Sequence, residues 1–209
     1  MIVLRGSIAG SRHWLRPSQP RSVLAAAVLL LVGLATVTEA GEFDLPALDE
    51  GKIRAAGIRK LTGKAIALYT DLPAAAEIDE LPQVFDAAVS AWCHYFGVDA
   101  AKVAGWRVVG CVMQDMARFE GAGLCPASVP EFPHGYSRGS QLWLYDQPSG
   151  YYRRHLVLHE GTHCFMQRWL GGAGPPWYME GMAELLGTLA EIDRMVKKNG
   201  FAEQRVKNR

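Results

Sequence analysis

A chain of 209 residues, 49% hydrophobic and 21% charged, has material for one globular domain and an added segment, which excludes fibres, low-complexity tails and multidomain arrays. Its 22 basic and 21 acidic side chains leave a formal net charge of +1, too small a field to suggest a nucleic-acid or other polyanionic partner. Four cysteines and 22 glycines exclude a disulfide-packed miniprotein and a collagen-like repeat.

Arg5, Arg12, Arg16 and Arg21 precede a fifteen-residue apolar run over 23–37, with no acidic residue before it, and Thr38-Glu39-Ala40 offers small residues for cleavage. The expectation is an export signal over 1–40 and a secreted or periplasmic domain. The run is shorter than the roughly 20 residues that span a bilayer; left uncleaved, the segment would act as an anchor, the only membrane association expected. Cleavage after Ala40 removes four arginines and one glutamate and turns the formal charge from +1 to −2. Outside the cytoplasm Cys93, Cys111, Cys125 and Cys164 allow up to two disulfides, with Cys111 and Cys125 the favoured pair. Cys93 and Cys164, on predicted helices, read as buried small apolar residues. No C-x-x-C occurs, which speaks against a cysteine-rich zinc site.

Residues 41–63 lack periodicity and read as a linker. The run A-I-A-L-Y-T at 65–70 alternates as a short strand does. Ile78, Leu81, Val84, Phe85, Ala88, Val89, Trp92, Tyr95 and Phe96 recur every three or four residues, the stripe of a core-facing helix with Pro82 in its first turn and Gly97 at its end. His94 on that helix reads as a packed or exposed histidine without a special role. Residues 106–113 read as a strand, followed by a short helix stopping at Gly121. Glycines and prolines between 121 and 133 then predict a surface loop. Residues 141–145 form the next strand, with Leu142 and Leu144 towards the core. Two helices follow, 151–170 and 177–195, separated by G-G-A-G-P-P, which cannot continue a helix. Trp143 and Trp177 read as core. The expected domain spans 64–195, and a short tail covers 196–209.

The chemistry falls on these last two helices. His159-Glu160-Gly161-Thr162-His163 is an H-E-x-x-H pattern within an apolar helical stretch. Two histidines four apart share one face of a helix, about 5–6 Å apart at Cβ, so both imidazoles can meet one zinc ion. Glu160, one residue round, can polarise a water on the metal without becoming a ligand. Zinc hydrolysis needs that division of labour: the metal lowers the water pKa to about 7 and a carboxylate moves the proton. Catalytic zinc commonly takes two His and one Glu, and W-Y-M-E-G-M-A-E at 177–184 supplies Glu180 as the third ligand. Glu184, four residues on, can accept the free imidazole N–H of a ligand histidine. His155 shares the histidine face but sits a turn too far to reach the same ion well.

Through H-E-G-T-H followed by W-Y-M-E-G-M-A-E, over residues 156–186, the chain resembles the gluzincin metallopeptidases, the thermolysin-like and peptidase-MA-like group, and within it uncharacterised secreted bacterial proteins. The resemblance implies an α+β, zincin-like fold of three to five strands and one Zn2+ per chain held by His159, His163 and Glu180. It further implies Glu160 as general base, Glu184 as the carboxylate behind a ligand, and hydrolysis of a peptide or protein substrate. It also implies that the substrate lies along an edge strand, for which Gln141, Leu142, Trp143, Leu144 and Tyr145 are the candidates. Family members commonly follow the glutamate helix with a helical subdomain that supplies a Tyr or His to the oxyanion. Nothing after Glu184 is Tyr or His, so that role would fall to His134, Tyr136 or Arg194, or to no residue at all. Two other readings stay open: a zincin-like envelope domain that binds zinc with little or no turnover, and a metal-free domain in which the motif is coincidental.

Overall fold

The structure is a computed structural model, which describes residues 45–172 and 174–198, with the backbone alone over 189–198. A mixed five-stranded sheet organises the chain: β1 (Arg59–Thr62), β2 (Ile66–Thr70), β3 (Val108–Met113), β4 (Gly135–Arg138) and β5 (Gln141–Tyr145), in spatial order β1-β2-β3-β5-β4. The three central strands are parallel, because helical crossovers join them, while both outer strands pair antiparallel with their neighbours. The helices are α1 (Glu50–Ala55), α2 (Ala76–Asp79), α3 (Leu81–Phe96), α4 (Ala100–Val103), α5 (Met116–Ala122), α6 (Gly150–Trp169) and α7 (Pro176–Lys198). The class is α+β, as expected.

Period-two alternation divides the sheet's side chains between two cores. Ile66, Leu68, Val108, Val112, Leu142 and Leu144 face one way, into a core completed by Phe85, Trp92, Val157, Leu158, Phe165, Met182 and Leu186 from α3, α6 and α7. Tyr69, Val109, Cys111, Met113 and Trp143 face the other way, against Ile53 of α1, Phe119 of α5 and the loop residues Leu124, Cys125 and Val129. Local chemistry starts and stops the helices. Asp49, Asp99, Asp115 and Ser149 cap the N-termini of α1, α4, α5 and α6 by accepting a backbone N–H. Between α6 and α7, Gly171, Gly172 and Gly174 all have positive φ (70°, 145° and 75°), so the glycines permit the tight return that sets the two helices side by side.

Several expectations are corrected. Residues 41–63 are more than a linker: α1 and β1 lie within them, and Ile53 and Ile58 are buried in the second core. Their short, charged segments carry too little periodicity to read. The strand β4 lies just beyond the expected loop over 121–133, in a stretch for which the sequence predicts no element. Trp143 is buried as expected, but so is the second face of its strand, because α5 and its following loop cover it. Trp177 is 76% exposed and Tyr95 52%, so neither is core; His94 is exposed. All four cysteines are free and buried, with Cys111 and Cys125 unpaired in the second core and Cys93 and Cys164 packed in the first. Among the described residues no helix is long and apolar enough to cross a membrane. The expected signal over 1–40 and the residues from 199 onward lie outside the described residues.

Candidate metal centre

The helix α6 lies over the β5–β4 end of the sheet and packs against α3, and this contact buries its motif. A Cβ on Gly161 would sit 2.4 Å from Cε2 of Phe85 and 2.9 Å from the Trp92 ring, so glycine is what lets the helices approach this closely. At the other end, Arg153 donates to Asp146 at 2.7 Å and to Glu77 at 3.2 Å, and Arg154 to Glu80 at 2.9 Å, which pins the helix to the chain before it. The result is that Glu160, Thr162 and His163 are buried.

On this rigid element His159 and His163 stand one turn apart with their Nε2 atoms 3.2 Å from each other. Glu180 of α7 completes a triangle: its Oε2 lies 3.2 Å from His159 Nε2 and 3.6 Å from His163 Nε2. A tetrahedral ion about 2.05 Å from each ligand needs ligand atoms roughly 3.3 Å apart, so the triangle has the size of three vertices of a zinc tetrahedron, and the set fits a divalent ion. The protonation chemistry agrees. Glu184 Oε2 lies 3.5 Å from His159 Nδ1, on the side that favours an Nδ1–H tautomer and leaves the Nε2 lone pair facing the triangle. Burial, with the neighbouring His159 adding to it, pushes the His163 imidazole down to about 4, so it is neutral near pH 7, the form a metal ligand requires. Three lone-pair atoms converging on one point repel one another unless a cation or a proton lies between them.

Beyond this triangle, His155 Nε2 approaches Glu184 Oε2 at 3.2 Å, and the His155 ring stacks on Tyr151 at 6.1 Å and 14°. His155 thus supports Glu184 and stays out of the triangle, as its spacing predicts. Burial also raises the pKa of Glu160, partly offset by a hydrogen bond from Ser137, whose Oγ donates to Oε2 at 2.7 Å. A carboxylate with raised proton affinity beside a candidate cation site is suited to accepting and returning a proton.

The expected edge strand is corrected: Gln141, Leu142, Trp143, Leu144 and Tyr145 form β5, which is paired on both sides, and β4 is the edge beside α6. A connection too short to read, Gly139-Ser140, hides this hairpin, although a Gly-Ser pair between two strand-like runs is a hairpin signal. The same omission conceals Gly135 and Ser137, the two β4 residues that touch Glu160. Of the oxyanion candidates, Tyr136 points to the far face, stacked between Phe132 and Trp143 at centroid distances of 6.2 and 6.0 Å, because alternation places it opposite Gly135 and Ser137. It cannot serve the site from there. His134 is exposed just before β4, and the side chain of Arg194 lies outside those described. Comparison of the chain with protein-family models, with curated proteins and with solved structures found no match.

Proposed function

We propose that the chain is a zinc-dependent metallopeptidase of zincin-like fold, exported by its N-terminal segment, with His159, His163 and Glu180 as zinc ligands and Glu160 as the general base. The observation that carries this reading is the 3.2, 3.2 and 3.6 Å triangle of ligand atoms with a buried glutamate one residue from its first histidine. A zinc ion held there supplies Lewis acidity and a water of lowered pKa. Glu160 accepts a proton at its carboxylate and returns it to the leaving nitrogen. Glu184 holds His159 in the tautomer that presents Nε2, and His155 steadies Glu184. An extended peptide would pair with the free edge of β4, where backbone hydrogen bonding accepts many sequences.

Elemental mass spectrometry of the purified protein beside His163→Ala tests the ligand set, with one zinc per chain expected in the first and almost none in the second. Cleavage of a mixed peptide library, lost in Glu160→Gln while zinc is retained, tests the reaction. A second reading draws on Tyr136: with that side chain packed into the far core, one expected oxyanion donor is gone, and removal of such a donor typically costs about 10²–10³ in rate. This favours a zinc-holding domain with little turnover, for which bound zinc without Glu160-dependent cleavage is the expected result. Unchanged melting under chelation, with no zinc bound, would instead leave the motif coincidental.

A further inference from the structure

We propose that Ser137 and Gly135 on the edge strand are positioning residues for Glu160, a role that rests on the hydrolase reading. The two residues are two apart on β4 and so share one face. Ser137 Oγ donates to Glu160 Oε2 at 2.7 Å, and a Cβ on Gly135 would lie 2.7 Å from Oε1 of the same carboxylate and 2.9 Å from Leu144 Cδ2. One residue therefore grips one oxygen, and the other leaves the space that the second oxygen occupies. Among the described residues no other side chain hydrogen bonds with Glu160.

The clamp is stiff because β4 is held from behind. Its other face carries Tyr136, stacked between Phe132 and Trp143, and Arg138, which donates to Ser128 O at 3.3 Å and to Ser128 Oγ at 3.1 Å. Its inner edge is paired with β5 from Gly135 opposite Leu144 to Arg138 opposite Gln141. A glutamate on a helix has three side-chain torsions to fix, and the farther from the backbone, the less its own helix constrains them. Tying Oε2 to a different element of the fold sets them, leaving Oε1 free to exchange a proton at a fixed place. The same strand offers the free edge, so the base and a chain paired to that edge would be located by one rigid piece of backbone.

The test compares Ser137→Ala, Ser137→Thr and Gly135→Ala with wild type, all loaded with zinc. Ser137→Ala is expected to lower kcat about 10–100-fold with KM and zinc content unchanged, since a misplaced catalytic group costs on this scale. Ser137→Thr, which keeps the hydroxyl, recovers most of the loss, and Gly135→Ala reproduces it. An unchanged kcat in Ser137→Ala overturns the inference. Independently of activity, melting of the metal-free protein gives a double-mutant cycle: the shift caused by Ser137→Ala should fall to about half or less in a Glu160→Ala background. Equal shifts in both backgrounds overturn the Ser137–Glu160 link alone. A zinc-loaded wild type that cleaves nothing overturns the hydrolase reading, and the positioning role with it.

Discussion

Glu160-Gly161 on α6 and Glu180-Gly181 on α7 are the same dipeptide in opposite surroundings. Glu160 is 7% exposed, whereas the Glu180 side chain is 56% exposed. A Cβ on Gly161 would strike Phe85, while one on Gly181 would meet nothing within 4 Å. The helix α6 is therefore held by packing, and its place is decided whether or not a metal is bound. The N-terminal half of α7 is held on one side only, by Met182, Ala183 and Leu186, and presents its carboxylates at the surface. The difference teaches that the core preorganises His159, Glu160 and His163, whereas Glu180, the proposed third ligand, comes from a helix that the core secures less.

The sharpest way to break this comparison is Glu180→Ala. It should lower zinc affinity by at least about 10²-fold, more than the 10–100-fold typical of outer partners, and change the stability of the metal-free protein by no more than about 0.5 kcal/mol, as for other exposed positions. Competition against a chelator and chemical denaturation measure the two. A large loss of stability would place Glu180 among the groups that hold the fold.

Acidification probes the buried half. His163 is depressed to about 4, below its ordinary 6.5, so between these values the unfolded chain binds the extra proton. Stability of the metal-free protein should be fully present above about pH 6.5 and fall as the pH drops towards 4. Glu160, whose pKa burial raises above its ordinary 4.5, has the opposite sign: in its window the folded chain binds the extra proton, and acidification stabilises. Glu160→Gln removes that offset, so its denaturation midpoint should fall more steeply over this range than that of wild type.

The paired glycines give the smaller effects. Gly161→Ala should destabilise by about 1–3 kcal/mol, the usual range for overpacking, because both Phe85 and Trp92 would have to move. Gly181→Ala, with open space in a helix interior, should stabilise by about 0.5–1 kcal/mol. Equal effects at the two positions, by urea denaturation, would erase the distinction between the two helices.

Helix periodicity made much of the fold readable. The stripe from Leu81 to Phe96 found α3, although Ile78 falls in the separate α2, and H-E-G-T-H found the two histidines of the triangle, because i,i+4 geometry belongs to a single helix and needs no partner. The glycines and prolines at 171–176 marked the return between α6 and α7. Short charged segments were harder: α1 and β1 have six and four residues, and become elements only by packing Ile53 under the sheet and pairing with β2. Trp177 read as core yet is exposed, since an apolar side chain does not say whether a neighbour exists to cover it.

What the sequence by itself determined is local: the helix-borne spacing of His159, Glu160 and His163, the pairing of Glu180 with Glu184, and the breaks between elements. Only the tertiary structure decided that β4 and not β5 is the sheet edge, that Tyr136 turns away from the site, that Cys111 and Cys125 share the second core, and that Ser137 meets Glu160 across 23 residues. Each of these depends on which strand lies beside which. That order is a property of the assembled sheet and its two cores, and no window of neighbouring residues contains it.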